Sequence, residues 1–117
     1  MTYAELMQQP VMQVAQENVR KLESELFDLK EKRNTLLSDM VSKELESRGI
    51  TPGKIVTGFK VRGRIMVGRF EGVVNGDPNS AQSSKWIHLK MWVQYKNGND
   101  AGVFIPGSQA DSLTLVT

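Results

Sequence analysis

With 117 residues and no cysteine, the chain has room for one modest core and an appendage, and disulfides, zinc-thiolate sites and thiol nucleophiles are excluded. The net charge of +2 is too mild by itself to demand a nucleic-acid or membrane partner, but it is unevenly spread: residues 1–48 carry seven Lys and Arg against nine Asp and Glu, and residues 49–117 carry eight against four. No run approaches the roughly 18 apolar residues of a membrane span, and MTYAELMQQP lacks a basic stretch followed by an apolar one, so a soluble, cytoplasmic protein with no membrane partner is expected.

Thr2-Tyr3-Ala4-Glu5 has the spacing of a helix-starting capping box. Pro10 lacks a backbone donor, so the main helix is expected to restart there rather than run through it. From Val11 to Arg48 there is no Gly or Pro, and apolar residues recur every third or fourth position. On a heptad, position a takes Met12, Val19, Leu26, Arg33 and Met40, and position d takes Ala15, Leu22, Leu29, Leu36 and Lys43. Such a helix spans roughly 57 Å and leaves an apolar edge that needs a partner helix, so residues 1–48 are read as a coiled-coil oligomerisation segment. Its interface residues are Met12, Val19, Leu22, Leu26, Leu29, Leu36 and Met40.

Charges beside this seam leave the orientation open. A parallel pair sets Glu25 against Lys30, whereas an antiparallel pair crossing near Phe27 sets Glu23 against Lys30 and Glu25 against Lys32. Arg33 and Lys43 are costly in a dry seam; they set its register, reach outward, or mark where it loosens. Leu37, Val41 and Leu45 form a second apolar stripe, for which the β half of the same chain or of a partner is the expected cover. Gly49 is the expected stop, and Ile50-Thr51-Pro52-Gly53 the turn out.

Residues 49–117 read as short strands punctuated by glycine: KIVTGF, KVRGRIMV, GRFEGVV, the long KWIHLKMWVQY, AGVFIP and SLTLV. In the long strand Ile87, Leu89, Met91, Val93 and Tyr95 point one way, and Trp86, His88, Lys90, Trp92 and Gln94 the other. Asn97-Gly98-Asn99-Asp100 is a hairpin signal. The fold class is therefore α+β, a long N-terminal coiled-coil helix followed by a small antiparallel barrel. The order PGKIV, a glycine-hinged pair of strands ending in GRFEGVV, a polar loop, a long strand, a tight turn and two short strands resembles an SH3-like barrel of the KOW or Tudor type, over residues 52–117 at most. That resemblance implies a binding barrel, used for nucleic-acid or protein partners.

Two constellations bear on binding. Lys60, Arg62 and Arg64, taken as alternate residues about 6.6 Å apart on one strand face and followed by Arg69, match the spacing of phosphate contacts; the competing explanation is a solvated face that discourages edge pairing. Trp86, His88, Lys90 and Trp92 interleave rings with cations as single-strand readers do, but the helix stripe Leu37, Val41 and Leu45 or a subunit contact is expected to cover at least one Trp. His88 is the only histidine, so no metal site and no catalytic triad is assembled, and no catalytic residue or cofactor is expected. The polar loop Asn75 to Ser84 is long for a hairpin and reads as an unstructured surface loop or a contact loop.

The expectation is a non-enzymatic homo-oligomer that associates with nucleic acid through Lys60, Arg62, Arg64, Arg69, Lys90, Trp86 and Trp92. The alternatives are a protein-interaction adaptor or inhibitor docking on a host protein, of the kind phages encode, and sequestration of a small anionic ligand at a subunit interface.

Overall fold

A computed structural model describes residues 1–95 and 98–116. Helix α1 (Tyr3–Met7) is capped by Thr2, whose Oγ1 accepts from the Glu5 N–H at 3.1 Å. The chain then turns at Gln8 and Gln9, and the long helix α2 (Pro10–Ser47) starts with proline in its first turn, where no intrahelical donor is needed. Gly49, at φ +79°, ends it. The Ile50 N–H returns to the Leu45 carbonyl and the Gly49 N–H to that of Glu46, both at 2.9 Å, which is the Schellman arrangement with its apolar contact made by Leu45 and Ile50.

Five antiparallel strands follow: β1 (Ile55–Val61), β2 (Arg64–Asn75), β3 (Ile87–Gln94), β4 (Asp100–Pro106) and the short β5 (Thr114–Leu115), in the order β4-β3-β2-β1-β5. A 3₁₀ segment, Gly107–Ser112, carries the chain from β4 back to β5. β1 and β4 are separated by two strands in the sheet yet approach each other, so the sheet curls around its core. The fold is thus α+β, a long helix followed by a five-stranded antiparallel sheet. Asn97 of the expected hairpin turn lies outside the described residues.

Val56, Phe59, Phe70, Leu89, Met91, Val93, Ile105, Ala110 and Leu113 fill the concave side, and Leu45 and Ile50 close it from the helix end. Val41 packs against the same core, so the second helix stripe is covered by the chain's own sheet. Arg48 adds a polar tie, donating to the Ala110 carbonyl at 2.7 Å and to that of Leu113 at 3.4 Å. The heptad stripe is a different face and stays open: Leu22, Leu29 and Leu36 are 64%, 60% and 61% exposed.

The run KVRGRIMV is not one strand. Arg62 at φ +51° and Gly63 at φ +77° form a two-residue turn between the paired Val61 and Arg64, and two successive positive φ angles are the type I′ geometry that suits the twist of a hairpin. At Gly58, φ +94°, the β1–β2 register shifts by a bulge, and a β-carbon there would collide with the Ser112 carbonyl oxygen.

Candidate nucleic-acid interface

Residues directly opposite in an antiparallel pair share a face of the sheet. The pairs Val56↔Gly68, Phe70↔Met91 and Leu89↔Ile105 therefore define the core side, and Ile55↔Arg69, Thr57↔Val67, Lys60↔Ile65, Arg69↔Trp92 and Lys90↔Phe104 define the outer side. Four of the expected binding residues lie on that outer face: Arg69, Lys90 and Trp92 on the neighbouring strands β2 and β3, and Lys60 toward the tip of the β1–β2 hairpin.

At its centre the Lys90 ammonium lies 5.5 Å from the centre of the Trp92 ring and 5.7 Å from that of Phe104. It also meets Glu71 at 3.3 Å, which orients the side chain. The Trp92 indole spreads over Gly102, the residue paired with it on β4. Beside it runs a shallow groove of about 260 Å³ lined by Ile55, Val67, Gly68, Arg69, Trp92, Gln94 and Asp100. Phe104, 59% exposed, was not among the expected residues. Within AGVFIP it faces outward while Val103 and Ile105 face the core.

The arginine ridge does not exist as expected. Because the chain reverses at Arg62-Gly63, Lys60 pairs with Ile65 on the outer face, Arg62 sits in the turn, and Arg64 pairs with Val61, whose side chain packs against the core. The three cations cluster at one hairpin tip, on different sides of it. The Lys60 backbone is held by Gln109, which accepts from its N–H at 2.7 Å and donates to its carbonyl at 3.3 Å.

Trp86 is placed elsewhere. Its ring is covered by the Arg33 guanidinium, 3.4 Å from the ring centre, and its Nε1–H donates to the Ser80 carbonyl at 2.8 Å. The helix does cover one Trp, but with Arg33 rather than with the stripe Leu37, Val41 and Leu45. Arg33 also donates to the Pro78 carbonyl at 3.0 Å and to Asn34 Oδ1 at 3.1 and 3.2 Å. Asn75 Nδ2 donates to Thr35 Oγ1 at 3.0 Å, and Lys30 Nζ to Asn79 Oδ1 at 3.4 Å. The loop from Asn75 to Ser84 is thereby a bracket between helix and sheet. His88 stands on the outer face, edge-on to Phe104 with ring centres 6.5 Å apart, and its buried Nδ1 has no hydrogen-bond partner among the described residues.

No family model, curated protein or solved structure matches the chain. Among the described residues no helix is long and apolar enough to cross a membrane.

Proposed function

We propose that the protein is a non-enzymatic binding protein that takes single-stranded nucleic acid across the outer face of its sheet. The observation that carries this reading is the placement of Lys90 between Trp92 and Phe104, with Arg69 paired to Trp92. The exposed Phe104 ring and the half-buried Trp92 ring offer stacking surfaces that any base can use, and Arg69 and Lys90, with Lys60 farther along the same face, supply cations for the backbone that joins those bases. Trp86, committed to Arg33 and Ser80, has no part in it. Arg62, in the hairpin turn, and Arg64, on the opposite face, also have no part in it.

The curl that brings β1 toward β4 supports an SH3-like barrel as the frame of this platform. The open heptad stripe on α2 supports self-association, which would multiply a weak site by raising its effective concentration. The test is fluorescence anisotropy of a labelled oligonucleotide over a salt series. Affinity that falls steeply with salt and is lost on Trp92→Ala bears the proposal out; salt-independent or absent binding to DNA and RNA removes it.

A second reading is favoured by a specific observation. Ile55, Ile65 and Val67 are exposed on the same outer face, and an apolar strip beside a tryptophan suits a protein partner. Capture of one dominant host protein, abolished by Val67→Asp and indifferent to salt, is the result that selects it.

A further inference from the structure

We infer that the open stripe of α2 is covered by α2 of a second copy running antiparallel, so that the two binding platforms sit at opposite ends of the shared rod. This rests on reading the stripe as a self-pairing surface and adds its direction, which exposure alone leaves open.

The direction follows from matching layers. With the crossing point between Phe27 and Asp28, an antiparallel pair sets Leu26 against Leu29 and Val19 against Leu36, each twice by symmetry. Leu26 and Val19 are each 51% exposed, and Leu36 61%, so each of these side chains has area left to bury. The flanking positions then place Glu23 against Lys30 and Glu25 against Lys32, again twice each, opposite charges in every case. Arg33 meets Leu22 and Lys43 meets Met12, so no cation in the seam faces another.

A parallel pair reverses this outcome. In-register heptads set Lys43 against Lys43, and the flanks put Asp39 against Glu44, leaving Glu25 with Lys30 as the one favourable match. Like charges in a seam act as selection against that arrangement.

The fold also prepares the antiparallel seam. Arg33 is drawn to one side by Trp86 and the Pro78 carbonyl, which clears the layer where Leu22 of the other copy arrives. The Lys30 ammonium has three donors, so it can keep Asn79 and still receive Glu23. The core of the sheet is attached on a different face of the helix, through Val41 and Leu45, and although Arg33 of the stripe leans on Trp86, Leu36 and Met40 beside it stay exposed. Taking Met40 as the mid-point of attachment, the two sheets would be anchored about 38 Å apart along the rod at 1.5 Å per residue.

The absence of cysteine allows a direct test on the full chain. Three variants are made, Val19→Cys, Leu36→Cys and the double variant, and each is treated with a short bismaleimide after circular dichroism confirms its helix content. Antiparallel pairing joins position 19 to position 36 of the other copy, so the double variant and an equimolar mixture of the single variants become covalent dimers. Each single variant alone stays uncoupled, because its two thiols are about 26 Å apart. Efficient coupling of either single variant alone overturns the direction while leaving self-pairing intact. A monomer at every concentration in sedimentation velocity overturns the self-pairing reading itself.

Discussion

The guanidinium carbon of Arg33 lies 3.4 Å from the centre of the Trp86 ring, joining the middle of the long helix to the start of β3. A cation over an indole contributes about 0.5–2 kcal/mol, more as water is excluded. Here the same side chain also satisfies the Pro78 carbonyl and Asn34 Oδ1. Arg33→Ala is therefore expected to destabilise the fold by about 2 kcal/mol in urea unfolding and to red-shift tryptophan emission as Trp86 becomes wetter. Arg33→Lys is expected to recover little, since an ammonium lacks the planar fork.

The β1–β2 turn gives an opposite-signed pair of effects. Arg62 is the one non-glycine residue with positive φ among those described, at +51°, and Arg62→Asn or Arg62→Gly is expected to stabilise by a few tenths to about 1 kcal/mol. Gly63→Val, at φ +77°, is expected to cost more than about 1 kcal/mol. Thermal unfolding of the two variants checks both signs.

At the bulge, Gly58→Ala is expected to destabilise strongly because the added carbon meets the Ser112 carbonyl, a backbone atom fixed by the 3₁₀ segment. A melting temperature within a degree or two of the parent would show that this segment yields.

On the outer face, Trp92→Ala and Phe104→Ala are each expected to weaken oligonucleotide binding by about 1–3 kcal/mol. Arg69→Gln should lower the slope of log affinity against log salt by about 0.7, the single-strand value for one phosphate contact. Arg64→Gln, on the other face, should leave that slope unchanged. Anisotropy titrations at several salt concentrations separate the two arginines.

Within the core, Leu45 is fully buried where the helix meets the sheet, so Leu45→Ala is expected to cost about 2–5 kcal/mol. Chemical denaturation measures it directly.

How much of this was legible in the sequence depends on the range of the interaction. The long helix was legible because Pro10 and Gly49 bracket an uninterrupted periodic run, proline in the first turn and glycine just past the last. The faces of β3 were legible because strict alternation over eight residues leaves one register. The hairpin at Arg62-Gly63 was not, since arginine is an unusual first residue for that turn and the flanking residues continue an alternating pattern. Phe104 was missed because AGVFIP is nearly all apolar, so its period is hard to see. The partner of Arg33, Trp86, lies 53 residues further along the chain (86 − 33), and no local pattern announces it.

Of residues 10–29 only Met12 and Gln16 are less than exposed, so about 30 Å of helix stands beyond the sheet. It is gripped at two places, by Leu45 in the core and by Trp86 on Arg33, roughly 18 Å apart along its axis. A strut clamped twice cannot swivel about either clamp, so the globular half dictates where the free half points. Loosening the outer clamp would turn a rigid spar into a boom on a single hinge.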